Sequence, residues 1–305
     1  MNVTLPIDGP YDLTATFWLM SMGKGNPCLR HDGNSQLRTA LNTPLGPVCV
    51  VARQTESSIE AELEGSGAEW LRPHLTSFFG LDFQPPQIKG LRKLRQIAYD
   101  LRGLRLVRMP TISTSLVQII LQQLISYRDA CYGWRKLAQR YGSLVPGCDD
   151  LWFPPTADAL SKLSSPHFIE CGVLPQHGRR IVAVSRVANE LEATWDAGQA
   201  PDAIGKTSER LLKLTGVGPW TVGLLRGGAQ GDADAEVLGD YSMPKLVSYF
   251  FENNLAAADQ ATDEEMLRLL EPYRPHRFYV LTLINRGAKH PPRRGPRRKS
   301  LRERF

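Results

Sequence analysis

Residues 211–245, LLKLTGVGPWTVGLLRGGAQGDADAEVLGDYSMPK, hold the groups best suited to chemistry. Leu214-Thr215-Gly216-Val217-Gly218 lies between two apolar runs of helical spacing. Two glycines so close together permit a tight hairpin with its N–H groups turned outward. Such a nest beside a helix N-terminus holds a phosphate without reading base sequence. About twenty residues later, Asp240 stands beside Tyr241 ahead of another apolar run. A backbone-gripping hairpin followed at that distance by an acid points to chemistry on a nucleic acid. Two plainer readings stay open on the residues alone. Asp240 suits an N-cap ahead of Pro244, and Gly216-Val217-Gly218 suits an ordinary turn between helices.

The remainder of the chain must position these groups. At 305 residues it is long enough for a large core and two or three domains. The apolar fraction of 42% is that of a globular protein, and no apolar run reaches the ~18 residues that span a bilayer. No basic segment followed by an apolar core opens the sequence, so a secretory signal is not expected. Five scattered cysteines without CxxC spacing (Cys28, Cys49, Cys131, Cys148, Cys171) argue against a disulfide framework and against a zinc or iron–sulfur site. An intracellular, reducing location is expected. His177, His276 and His290 lack metal-ligand spacing and read as surface residues.

The net charge of +6 is modest but clustered. Lys89, Arg92, Lys93, Arg95, Arg102, Arg105 and Arg108 form one group. Arg286 and, in a Pro/Arg-rich tail over 291–305 that should be extended or mobile, Arg293, Arg294, Arg297, Arg298, Lys299, Arg302 and Arg304 form another. Such clusters attract polyanions through counterion release, although a solvated face has the same composition.

Period-two alternation over 11–20 and 58–64, and the β-branched run at 48–52, predict half-buried antiparallel strands. A helix is expected over 70–79, and Pro85-Pro86 marks a boundary near residue 87. Helical spacing then dominates: 114–141, 156–163, 176–191, 209–214, the run beginning at 222–225, 243–251 and 275–285. Thr262 with Glu265 has the form of a capping box. The expected architecture is α+β: a β-rich domain over 1–87, a helical module over 88–290, then the tail.

At this point the residues resemble a known family. LTGVGPWT followed by GDY resembles the hairpin and catalytic aspartate of the helix-hairpin-helix (HhH-GPD) DNA glycosylases, and within them the AlkA-type 3-methyladenine branch. LVQIILQQLISYRDACYGWRKLAQRYG and FIECGVLPQHGRRIVAVSRVANEL are similar to helical pairs of that branch. The stretch from YDLTATF to FFGLDF resembles, more loosely, its TATA-box-binding-like sheet domain.

The resemblance implies a monofunctional glycosylase that flips an alkylated purine, such as 3-methyladenine or 7-methylguanine, out of duplex DNA and hydrolyses its N-glycosidic bond. Asp240 takes the position of the catalytic acid. Trp220, Tyr241 and Tyr273 are the candidate walls of the base pocket. Leu124 matches the wedge, and Gln123 is placed to pair with the orphaned base. Leu124 would equally continue the apolar face of Leu116 and Ile120. Thr215, Gly216, Val217 and Gly218 form the phosphate hairpin. Main-chain carbonyls near Leu212, Leu214 and Val217 are implied to hold Na⁺ or K⁺, with no other cofactor required. Lyase-competent relatives carry a lysine two residues after the second hairpin glycine; here Trp220 stands there, and Lys206 and Lys213 lie on the other side of the hairpin. The branch often has an aromatic four residues after that tryptophan, and Leu224 departs from this. A monomer acting on double-stranded DNA, without a membrane or nucleotide cofactor, is expected. Two other readings remain at this stage: a non-catalytic lesion-sensing DNA binder, and an oxidised-base glycosylase, against which the missing lysine weighs.

Overall fold

The computed structural model describes residues 1–33, 35–196 and 202–292. Most of the tail, 293–305, therefore lies outside the described residues. The amino-terminal part is a five-stranded antiparallel sheet of β1 (Asn2–Pro6), β2 (Leu29–His31), β3 (Gln36–Thr43), β4 (Gly46–Gln54) and β5 (Ser58–Glu64), ordered β1-β5-β4-β3-β2. The alternation in β5 is decisive: Ile59, Ala61 and Leu63 are buried, while Glu60, Glu62 and Glu64 face water. Glu60 sits opposite Arg53 on β4, so opposite charges face each other across the strands.

The strand expected over 11–20 does not form. Asp12 accepts the Ala15 N–H at 2.8 Å and caps a short helix, α1 (Leu13–Thr16), followed by a 3-10 turn at Trp18–Met20. Leu13, Ala15 and Phe17 are buried, but Thr16 is buried too, so the segment has no solvent face of the kind a half-buried strand needs. Its alternation was a coincidence of composition. The helix expected over 70–79 is also divided, into α2 (Ala68–Leu71) and α3 (Leu75–Phe78), by a 3-10 turn containing Pro73. Proline lacks the N–H and crowds the carbonyl that a continuous helix would need.

Helices make up the rest: α4 (Arg92–Asp100), α5 (Ser113–Leu121), α6 (Tyr127–Tyr141), α7 (Ala157–Ser161), α8 (Ser165–Glu170), α9 (Pro175–Arg186) and α10 (Ala188–Asp196). A small hairpin, β6 (Ser143–Leu144) with β7 (Trp152–Phe153), interrupts them. Then come α11 (Ala203–Leu212), α12 (Pro219–Ala229), α13 (Met243–Glu252), α14 (Leu255–Gln260), α15 (Asp263–Leu270) and α16 (Arg277–Gly287). Among the described residues no helix is long and apolar enough to cross a membrane.

One apolar cluster runs from the sheet face (Leu37, Val50, Ile59) through Phe17, Phe78 and Phe79 into Leu116, Ile120, Trp134 and Leu225. A second joins Leu94 to Leu246, Phe250, Met266, Val280 and Ile284. Trp220 and Leu224 pack against both. The candidate site thus lies on the seam between two cores, where side chains from distant segments converge.

Two sequence expectations change here. Arg105, placed in the basic cluster, is buried; its guanidinium donates to the carbonyls of Arg102, Leu104 and Pro10 and ties elements together instead of facing a polyanion. His177, expected at the surface, is 0% exposed. Burial and the charge of Arg180 hold its pKa down to about 4, against a smaller opposing pull from the Gln123 backbone.

That depression has a sign. In the unfolded chain His177 takes a proton as pH falls below ~6.5, whereas the folded protein resists until about 4. Stability from the neutral ring is therefore complete above pH ~6.5 and drains as pH falls towards 4, by about 1 kcal/mol per pH unit. Urea unfolding at pH 7, 5.5 and 4.5 should show this slope, and His177→Leu should flatten it. An unchanged slope in the variant would assign the acid sensitivity to other groups.

Candidate active site

The hairpin forms where the glycines predict. Helix α11 ends at Leu212, and α12 begins at Pro219 with Gly218 as its N-cap residue. Gly216 has φ +84°, a left-handed conformation that needs glycine. The amides do not all point outward: the Val217 N–H turns in to the Leu214 carbonyl at 3.0 Å, and the Val217 side chain is buried. The amides of Gly216 and Gly218 make no hydrogen bond among the described residues. Thr215 is exposed at the tip. The Leu214 carbonyl keeps a second lone pair, so with Leu212 and Val217 it has the donor chemistry a monovalent cation requires.

Gly218 has φ −115° and ψ −175°, extended backbone that any residue adopts, and a Cβ built there meets nothing within 4 Å. Gly218→Ala should therefore fold normally. If a phosphate seats on this backbone, the added methyl should weaken binding about tenfold on every duplex sequence alike. Fluorescence anisotropy with unrelated duplexes checks this; a loss confined to one sequence would contradict phosphate anchoring.

The two oxygens of Asp240 have separate partners. Its Oδ1 accepts the backbone N–H groups of Ser242 (2.8 Å) and Met243 (2.9 Å) and the Ser242 hydroxyl (3.0 Å), capping the start of α13. Its Oδ2 accepts the indole N–H of Trp220 at 2.7 Å. The cap holds one oxygen, and the indole orients the other. Asp240 is half-buried, so the carboxylate keeps access to a ligand.

The loop that carries Asp240 is pinned at several points. Arg226 binds Asp232 at 2.8 Å. Arg277, itself buried, binds Asp234 at 2.7 Å and Glu236 at 2.6 Å. The Asp263 carboxylate accepts the Gly239 N–H at 2.7 Å. Across the loop, Gly223 of α12 lies against the Glu236 carbonyl, only 2.1 Å from where a Cβ would stand. Sequence reading missed Ser242, Arg277 and Gly223. Ser242 carried a faint signal, two residues past an aspartate, but the other two act through contacts that spacing cannot reveal.

The remaining candidates divide. Leu124 is 80% exposed with φ +58°, so it projects from the turn after α5 instead of continuing the Leu116/Ile120 face. Gln123 does the opposite. It is buried, and its amide donates to the Gly216 carbonyl (3.0 Å) and the Thr221 hydroxyl (2.8 Å), so it is not presented to an orphaned base. Tyr241 is not a pocket wall either: it is 99% exposed, turned to solvent because its neighbour Asp240 faces inward. Tyr273 packs on Phe251 with ring centroids 6.0 Å apart, and belongs to the second core.

No protein-family model and no curated protein matches this sequence. Solved structures do match. The fold is similar to that of a 3-methyladenine DNA-glycosylase from Archaeoglobus fulgidus, with a TM-score of 0.74 at 22% identity, over 92% of this chain and 97% of that one. It is similar to the apo form of the Clostridium acetobutylicum 8-oxoguanine glycosylase/lyase, with a TM-score of 0.68 at 13% identity, over 93% and 95% of the two chains. The chain has the DNA glycosylase fold. The Clostridium enzyme has also been solved with double-stranded DNA containing cytosine opposite 8-oxoguanine, and that structure gives a TM-score of 0.63 at 15% identity, over 90% of both chains. This glycosylase fold has the α+β architecture expected from the sequence, with its antiparallel sheet followed by a helical part.

Proposed function

We propose that this protein is a monofunctional DNA glycosylase that removes cationic, alkylated purines from duplex DNA. The observation that carries the reading is the carboxylate of Asp240, aimed by the Trp220 N–H at 2.7 Å and reached from the phosphate hairpin along α12. As the C1′–N bond breaks, its electron pair leaves with the base and the sugar becomes oxocarbenium-like. A carboxylate about 4 Å away, at an effective dielectric near 20, stabilises that charge by about 4 kcal/mol, roughly a thousandfold in rate. Water then adds to C1′, with Asp240 accepting its proton.

Position 220 holds an indole and no amine, so no Schiff base can form there and water is the nucleophile. An alkylated purine carries positive charge, and the Trp220 face would favour it over a normal base by roughly 0.5–2 kcal/mol. A charged base is also a good leaving group, which suits a site with one carboxylate and no strong general acid. Leu124 would fill the space left by the flipped nucleotide. Tyr241, exposed beside Asp240, would meet the DNA, not the base. A Na⁺ or K⁺ on the carbonyls of Leu212, Leu214 and Val217 would add positive charge where the hairpin meets a phosphate.

The test is release of free bases from duplex DNA treated with a methylating agent, separated by chromatography, with a parallel strand-nicking assay. The reading expects methylated purines in the free fraction and intact strands until alkali is added. Release of 8-oxoguanine with nicking would favour the oxidised-base alternative. Binding without any release would favour the lesion-sensing one.

A further inference from the structure

Gln123 and Leu124 are adjacent, yet one is locked inside the protein and the other projects from it. Leu124 holds φ +58°, a conformation that costs a side-chain-bearing residue about 1 kcal/mol. The residue before it, Gln123, is fixed by its own bonds. Both amide hydrogens are engaged, on the Gly216 carbonyl at 3.0 Å and the Thr221 hydroxyl at 2.8 Å. The amide oxygen accepts from Arg180 Nη1. Thr221 is 1% exposed, so this is an interior network with little freedom to rearrange.

Arg180 is the outermost member of that network. It lies on α9, and its stem runs along the hairpin: a Cβ built on Gly216 would stand 2.8 Å from Arg180 Cγ and 2.3 Å from its Nε. Gly216 is therefore required twice, for its left-handed backbone and for the space the Arg180 side chain occupies. One turn earlier on α9, buried His177 lies close enough to Arg180 to be influenced by its charge. A single guanidinium thus touches the phosphate hairpin on one side and the residue that sets the wedge on the other.

We propose that Arg180 is a positioning residue that couples the hairpin to the wedge: through Gln123 it holds Leu124 in its projecting conformation, so that phosphate capture and strand insertion act as one device. This inference rests on the glycosylase reading of the site. Without Arg180 the Gln123 oxygen is left buried with no partner, only the two amide N–H bonds still hold the side chain, and Leu124 relaxes from the left-handed region. Base flipping should fail while phosphate binding persists. An arginine that merely neutralised a phosphate would behave differently, since any cation would serve.

The experiment uses a duplex with 2-aminopurine as the flipped base, whose emission rises when it leaves the stack, so no chemistry is required. Arg180→Met should reduce the emission rise at saturating protein at least tenfold, with a melting temperature within about 3 °C of wild type. Arg180→Lys should not restore it, because the ammonium lacks the planar fork that holds both neighbours. In a Leu124→Ala background, Arg180→Met should produce no further loss, because both changes disable the same wedge. Full rescue by lysine, or additive losses in the double variant, would overturn the proposal and leave Arg180 as a phosphate contact. A wild-type protein that gives no emission rise overturns the glycosylase reading and this inference together. A normal rise with Arg180→Met overturns this inference alone.

Discussion

Asp240→Asn should abolish base release, by about a thousandfold or more, while DNA affinity is retained or increased. The magnitude follows from removing a charge worth about 4 kcal/mol to the departing sugar cation. The fold should survive for a specific reason. Asparagine is as good an N-cap as aspartate, and its carbonyl oxygen can keep the bonds to Ser242 and Met243. The penalty falls on the other side of the group, where an amide N–H would face the Trp220 N–H in place of an acceptor. That mismatch should lower stability by about 1 kcal/mol. Single-turnover release of methylated purines, with affinity measured alongside, checks both parts. Wild-type rates in the variant would remove Asp240 from the chemistry and leave it only its cap.

Gly223→Ala should lower the rate of release about a hundredfold, although residue 223 is buried in α12 and makes no hydrogen bond to the carboxylate. The added methyl would stand 2.1 Å from the Glu236 carbonyl oxygen and 3.1 Å from the Val237 Cα, so backbone must move. The loop cannot yield freely: Arg277 holds Glu236, and Asp263 holds Gly239. The displacement passes to Asp240 and opens its bond to Trp220. A shift of about 1 Å in a catalytic group costs on the order of a hundredfold. The loss should fall on the chemical step, with duplex affinity unchanged. Gly228→Ala, on the same helix, is the control: a Cβ there meets nothing within 4 Å. It should leave activity intact and raise stability by about 0.5–1 kcal/mol. Equal behaviour of the two alanine variants would show that the close approach at Gly223 does not position Asp240.

Local signals carried much of the fold. The β5 alternation, the Thr262 N-cap and the position of the glycine-bounded hairpin appear as read, because each depends on neighbours in sequence, although the expected capping box is half made, since the Glu265 carboxylate turns to Arg268. The reading failed where that dependence was absent. The 11–20 segment alternates like a strand but pairs with no strand of the sheet, and an aspartate cap outweighed its pattern. Arg105 and His177 look like surface residues by type, and both are interior; the Arg105 guanidinium reaches the Pro10 carbonyl, 95 positions away in the chain. Tyr241 was placed in a pocket by its adjacency to Asp240, yet consecutive residues at a cap point in opposite directions.

The order of residues by itself determined the covalent means: which backbone can form an anion nest, that position 220 offers an indole and not an amine, and that an acid beside an aromatic follows the hairpin about twenty residues on. Tertiary structure decided which of these groups meet. Trp220 and Asp240 are brought within 2.7 Å, Gln123 is turned inward and Leu124 outward, and Gly223 admits a loop whose place it alone does not set. Hydrogen bonds and close packing act over a few ångströms, whereas the residues they join here are separated by tens of positions along the chain. Which partners come together is therefore fixed by how the two cores pack at their common seam.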